Sequence, residues 1–171
     1  MRVLKCTALL LTLVLFCACT RQESIDIFAF FDRFNALQEE DLLNAGALFQ
    51  EDEETAKEYN TEFAFCTGHT ALLSVTVDET ETVTGFQLTV IPEDAAFDEA
   101  AQQALFETYV ELVSVLTTAQ NPEEALTGVQ AAGIAAENLY FTDFGYAGEY
   151  EDRQYAVFSG EQYLSLFCTT L

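Results

Sequence analysis

The chain carries no tryptophan, a single histidine, two prolines and no methionine beyond Met1. Bases are scarcer still in proportion, because 6 lysines and arginines stand against 29 acids, for a formal net charge of −23. Past Ser24 only Arg33, Lys57 and Arg153 remain. A surface of that sign repels phosphate, so nucleic acid is excluded as a partner class, and it has no attraction for anionic lipid headgroups. With His69 alone, no multi-histidine metal centre can be assembled. A serine-hydrolase relay would have to use His69 as its base, and no G-x-S-x-G pattern supplies a nucleophile elbow. His69 follows Gly68 between two apolar runs, where it reads as an exposed turn residue.

What is present is apolar material in quantity. Half of the 171 residues are hydrophobic and 13% are aromatic. That is enough buried surface to offset the entropy of ordering one full domain, and too few residues for two. A disordered acidic tail would be far poorer in Phe and Tyr.

The N-terminus has its own logic. "MRVLKCTALLLTLVLFCAC" places Arg2 and Lys5 ahead of an apolar run too short to span a bilayer comfortably, the pattern of a signal peptide. Its end, "LFCAC", resembles the lipobox of bacterial lipoproteins, with Ala18 at the small position and Cys19 at the position that receives lipid. Phe16 and Cys17 depart from the commonest residues of that box. The resemblance implies that residues 1–18 are removed, that Cys19 becomes the acylated N-terminus, and that 19–23 form a short tether to a single domain over 24–171. It places the protein outside the cytoplasm, held at a membrane by its lipid. Each buried CH₂ of an acyl chain contributes about 0.8 kcal/mol, so several chains can hold a domain whose charge gives it no affinity for headgroups.

Within the domain, Ser24 as N-cap and Ile27, Phe30, Phe31, Phe34 and Leu37 at helical spacing predict a helix over 25–38. The following acidic stretch reads as a loop, with one helical turn or a short strand near 47–50. Alternation then predicts strands at 59–66, 70–77 and 83–91, closed by Pro92. Asp94 or Asp98 can cap a long helix on which Leu105, Tyr109, Leu112 and Leu116 share a face widened by Phe106, Val110 and Val113. Asn121, Pro122, Glu123 and Glu124 open another helix. The aromatic last third predicts strands near 139–146, 153–159 and 162–169. Sequential strands joined by short turns favour antiparallel pairing, and helices grouped between them favour one face. The expected fold is α+β, a two-layer sandwich with a mainly antiparallel sheet of about six strands and helices on one side. Helix followed by three strands occurs twice, a weak internal echo.

Candidate sites are few. Acids cluster at 50–55, 77–82 and 149–154; Asp78, Glu79 and Glu81 beside a hairpin are the nominal choice for a cation site, although none of the clusters matches the D-x-[DN]-x-[DN]-G calcium loop, and a solvated acidic face is the simpler account. Tyr140, Tyr146, Tyr150 and Tyr155, with Tyr163 beyond them, lie close together among carboxylates, as residues that hold sugars or cations do, or as residues that simply pack at the wet edge of a core. Cys66 and Cys168 either form a disulfide outside the cytoplasm or stay as two small buried thiols. No pattern calls for a cofactor. The expectation is a lipid-anchored, non-catalytic binding or interaction module of a bacterial envelope, with a protein or glycan partner. The alternative is a cell-wall or glycan hydrolase that uses a pair of carboxylates.

Overall fold

A computed structural model of the chain describes residues 24–39, 41–43, 49–52, 57–91, 96–119 and 121–171; the signal-peptide, lipobox and tether assignments fall outside them. The elements run α1 (Ile27–Asn35), β1 (Phe49–Asp52), β2 (Lys57–Cys66), β3 (His69–Val77), β4 (Val83–Val90), α2 (Glu99–Leu116), α3 (Pro122–Ala131), a 3₁₀ turn (Ala136–Asn138), β5 (Phe144–Tyr150), β6 (Arg153–Gly160) and β7 (Tyr163–Thr170). One seven-stranded sheet in the order β1-β2-β3-β4-β7-β6-β5 carries helices on one face, the α+β arrangement expected. Every pairing is antiparallel. β1 is the strand beyond the expected six.

The order explains the echo in the sequence. Two three-strand meanders, β2-β3-β4 and β5-β6-β7, meet through their last strands, with Gly85 to Val90 of β4 opposite Thr169 to Leu164 of β7. Each meander therefore runs outward from the centre of the sheet to its own first strand. Gly85 sits at this seam because a Cβ there would lie 2.9 Å from the Cys168 carbonyl oxygen.

Local chemistry sets the helix limits. Asp26 caps α1 by accepting the Ala29 amide at 2.9 Å. The helix begins two residues later than a Ser24 cap would start it, because Ile25 is drawn into the sheet: its carbonyl accepts the Val83 amide, and Asp26 pairs with Thr82. It also ends earlier, so Leu37 lies outside it and is 42% exposed. The Asn35 side chain then clamps the backbone of Leu43 through both its amide and its carbonyl. Asp98, not Asp94, caps α2, and Asn121 caps α3 with Pro122 in its first turn.

Ile27, Phe30, Phe31 and Phe34 of α1 and Leu105, Tyr109, Leu112 and Val113 of α2 close over Leu73, Val75, Phe86, Leu88, Leu164 and Leu166 of the sheet as one core. Phe86 stacks edge-on to Tyr109 at 5.8 Å. The Tyr109 hydroxyl donates to the Phe167 carbonyl at 2.6 Å, tying α2 to β7. β5 begins at Phe144, five residues later than the sequence pattern suggested, because Leu139 packs into the core while Ser159 Oγ donates to the Tyr140 carbonyl and accepts the Thr142 amide.

Candidate functional site

Period-two alternation divides the sheet into two faces. On β3, His69, Ala71, Leu73, Val75 and Val77 are buried beneath the helices, and Thr70, Leu72, Ser74 and Thr76 between them face the other way. Register carries that second, open face across the neighbours: Thr76 opposes Gly85, Ser74 opposes Gln87 and Leu72 opposes Thr89 on β4; Gln87 then opposes Phe167 and Thr89 opposes Ser165 on β7; and Ser165 opposes Phe158 on β6. No described helix covers this face.

Its centre is uncharged. Gln87 Nε2 donates to Thr89 Oγ1 at 2.9 Å, and Thr89 Oγ1 and Ser165 Oγ lie 2.9 Å apart, a short ladder of an amide and two hydroxyls. Beside it Phe158 and Phe167 meet edge to face at 5.6 Å. Phe158 is 44% exposed and Tyr163 is 46% exposed. Carboxylates enter only at the flanks, with Glu58 and Glu62 on β2 and Glu149 on β5, as the pairings of Glu58 with Thr76, Glu62 with Leu72 and Glu149 with Gln154 place them. Ser165 is itself only 4% exposed, so the face offers the Gln87 amide, the Thr89 hydroxyl and open aromatic rings, and on a chain of net charge −23 such a neutral strip is the least expected surface. The alternation of β3, β4 and β7 in the sequence contained it, but only register shows which polar positions adjoin which rings.

The residues singled out from sequence land elsewhere. Asp78 organises its own turn: its Oδ1 accepts the Thr80 hydroxyl at 2.7 Å and the amides of Thr80 and Thr82 at 2.8 and 3.0 Å. Those bonds, the Thr80 hydroxyl foremost, hold its carboxyl below the usual range. Glu81 is engaged by Lys57 Nζ and by the Tyr59 hydroxyl, and the Lys57 bond likewise lowers its pKa. Glu79 is exposed beside them. The turn is held together by its own hydrogen bonds, and no group of three His, Cys, Asp or Glu among the described residues is arranged to hold a metal ion.

Tyr146, Tyr150 and Tyr155 share the covered face of β5 and β6, where they receive α3. A Cβ on Gly128 would meet the Tyr150 ring and the Tyr155 hydroxyl, each at 3.2 Å, and one on Gly133 would stand 2.5 Å from the Tyr146 hydroxyl. Burial pushes the Tyr155 hydroxyl far up. These tyrosines pack a helix; Tyr140 lies outside the strand, 40% exposed.

Cys66 and Cys168 are free thiols. Following the pairings from Cys168 through Phe86 and Val75 reaches Tyr59, seven residues along β2 from Cys66 and three strands across. At 3.3 Å per residue and 4.8 Å per strand that is roughly 27 Å, so the disulfide alternative is ruled out on geometry. Burial, then the Asp98 carboxylate, raises the Cys66 thiol, and burial lifts Cys168 to about 12, so neither is a ready thiolate. His69 corrects the turn reading. Gly68, with φ +81, completes the reversal in a tight turn, so His69 already stands in β3 on the covered face, 6% exposed, stacked on Phe65 and edge-on to Phe97. Its Nε2–H donates to the Ala96 carbonyl at 3.3 Å. Neither sulfur lies in an environment that would make it a nucleophile.

Arg153 escaped sequence reasoning, although its place two residues before Tyr155 on β6 marks it for the covered face. Its side chain is 5% exposed; Nε and Nη1 have no hydrogen-bond partner among the described residues, and Asp152 Oδ1 is 3.7 Å away. On the helix side, a shallow groove of about 450 Å³ between the ends of α1 and α2 is lined by Arg33, Leu37, Ser114, Thr118 and Pro122 and holds no carboxylate. None of the described helices is long and apolar enough to cross a membrane. Compared with family models, curated proteins and solved structures, the chain finds no match.

Proposed function

We propose that the protein is a lipid-anchored, extracytoplasmic bacterial binding module, acylated at Cys19, whose open sheet face takes an uncharged envelope glycan. The observation that carries this reading is the neutral strip of Gln87 and Thr89, braced from beneath by the buried Ser165 hydroxyl and flanked by Phe158, Phe167 and Tyr163. Sugar rings stack their C–H faces on aromatic side chains and exchange hydrogen bonds with planar amides and hydroxyls, and neutrality removes any penalty against an uncharged chain. Catalysis finds less support. A glycosidase needs two carboxyls facing across a cleft, whereas the described groove has none and the carboxylates beside the open face stand at its margins.

Anchoring suits the geometry. Ile25 is fixed to the β3–β4 turn, so the six backbone steps back to Cys19 reach at most about 21 Å from that end of the sheet. The same end carries Asp78, Glu81, Glu151 and Asp152, which repel anionic headgroups, so the lipid must supply the attachment. Cys19→Ala is expected to move the protein from the membrane fraction to the soluble one; retention of the variant refutes the anchor. For the binding face, full-length protein in detergent is expected to co-sediment with insoluble neutral polysaccharide or cell-wall sacculi. The double variant Phe158→Ala, Gln87→Ala should lose this while keeping its circular dichroism. Sedimentation of neither the parent nor the variant, or equal sedimentation of both, refutes the assignment.

A further inference from the structure

Arg153 is anomalous on a chain with 29 acids. Its side chain is 5% exposed, yet Nε and Nη1 donate to no acceptor among the described residues, and Asp152, 63% exposed, stands 3.7 Å from Nε, beyond hydrogen-bond length. A guanidinium cannot escape burial by losing its proton, so its unmet donors call for an acceptor. The surroundings add donors instead. Arg153 pairs with Tyr150 of β5 and stands two positions before Tyr155 on β6, on the face that α3 covers. The Tyr155 side chain is buried, and its hydroxyl is governed by burial and by neighbouring charges, Arg153 among them, and by no hydrogen bond. The run of α3 follows from its contacts: the Ala132 carbonyl and Gly133 lie on Gly148 and Tyr146, and Gly128 lies on Tyr150 and Tyr155. Lower-numbered residues of the helix are therefore nearer the β5–β6 turn. One helical turn back from Gly128 is about 5.4 Å, and the step from Tyr155 to Arg153 is about 6.6 Å, so the first turn of α3 comes over Arg153. It brings the positive end of the helix dipole to a cation that is already buried.

We propose that this corner is an anion site, in which a small monovalent anion of the size of chloride accepts from Nε and Nη1 of Arg153 and from the Tyr155 hydroxyl beneath the first turn of α3. The donors decide the class of ligand, since a cation or a further donor would meet only N–H and O–H groups. A water molecule can accept from the guanidinium but leaves its charge uncompensated, whereas an anion supplies charge-assisted bonds in a medium that screens poorly. Size follows from the roof. A single added carbon on Gly128 would already stand 3.2 Å from both the Tyr150 ring and the Tyr155 hydroxyl, so the corner admits one atom in place of a phosphoryl group. One guanidinium calls for one charge. The net charge of −23 depletes anions near the surface, so the site fills more readily once inert salt screens that field. Occupancy ties α3 to β5 and β6, and the inference does not depend on what the open face of the sheet binds.

The full chain in detergent, equilibrated in potassium gluconate, is titrated with potassium chloride at a constant ionic strength of about 0.15 M. The melting temperature should rise and saturate as mass action requires, and the chloride NMR line should broaden in proportion to protein and narrow again when bromide competes. Sulfate at the same ionic strength should produce no such rise. Arg153→Met, which keeps much of the side chain's length without its charge, should lose both responses and, in gluconate alone, melt no lower than the parent, because no unpaired guanidinium is left to bury. Tyr155→Phe should keep the circular dichroism of the parent and weaken chloride binding several-fold. Equal parent melting temperatures in chloride and gluconate with no line broadening overturn the site, and that result is read on the parent whether or not Arg153→Met folds. Broadening that survives undiminished in either variant overturns it as well.

Discussion

Alkaline pH should unfold this protein through three groups buried side by side. Cys168 is lifted by burial from its ordinary 9.0 to about 12, and the hydroxyls of Tyr109 and Tyr155, also raised chiefly by burial, rise further through its proximity. The direction of the linkage follows from which state lets go of protons first. Below pH 9 the thiol is protonated in both states and stability is flat; between 9 and 12 the unfolded chain loses a proton that the folded chain keeps, so stability falls with rising pH. One such group lowers it by about 1.4 kcal/mol per pH unit, hence about 2 kcal/mol by pH 10.5 and about 4 kcal/mol if the window is crossed completely. The tyrosines steepen the fall above pH 10. Against the 5–15 kcal/mol typical of a domain, the loss is large. Urea denaturation at intervals from pH 7.5 to 11 measures it. The parent's midpoint should hold to pH 9 and then drop, whereas Cys168→Ala, at a cost of about 1 kcal/mol in lost burial at pH 8, should fall less between pH 9 and 10, keeping only the part that the raised Cys66 thiol contributes. A parent midpoint flat to pH 11, or an equal slope between pH 9 and 10 in the variant, refutes the reasoning.

Leu112→Ala should cost about 2 to 5 kcal/mol, because Leu112 is fully buried on the core face of α2; a denaturation shift under about 0.5 kcal/mol would contradict that packing. Gly133→Ala should destabilise by at least about 1 kcal/mol, since φ there is +89 and the new methyl would press on the Tyr146 hydroxyl; a neutral result in thermal unfolding would show that α3 can move off β5. Millimolar calcium in about 0.15 M salt should raise the melting temperature no more than magnesium does, because Asp78 and Glu81 are already occupied by their own turn and by Lys57; a saturable, calcium-selective rise that Asp78→Asn abolishes would make that turn a ligand site.

Helices and strands were legible wherever one periodicity acted without competition. Phe30, Phe31 and Phe34 repeat at the helical period, and all three are buried on one side of α1. The alternation of β3 is unbroken from His69 to Val77. Legibility failed where a side chain's partner lay far away in sequence. Ser24 has the chemistry of a cap, but the pairing of Asp26 with Thr82 claims Ile25 for the sheet and moves the start of α1 to Ile27. His69 looked exposed because a turn was expected to end one residue later than it does, and a shift of one residue changes the face of a strand.

Some properties needed only the order of residues. A net charge of −23, the scarcity of bases, the presence of one histidine and enough apolar residues for one core are sums over the chain, and no folding alters them. The helical and strand periods are nearly as independent, since they reflect the local geometry of the backbone. Register, in contrast, is a relation between segments up to about a hundred residues apart. Only the assembled sheet decides that Gln87 lies beside Phe167, that Cys168 and Cys66 are out of each other's reach, that the tyrosines of β5 and β6 serve α3, and that FGYAGEY stands at an edge. Contacts of that kind form when the whole chain minimises its exposed apolar area at once, so they belong to the tertiary structure and to no stretch of sequence alone.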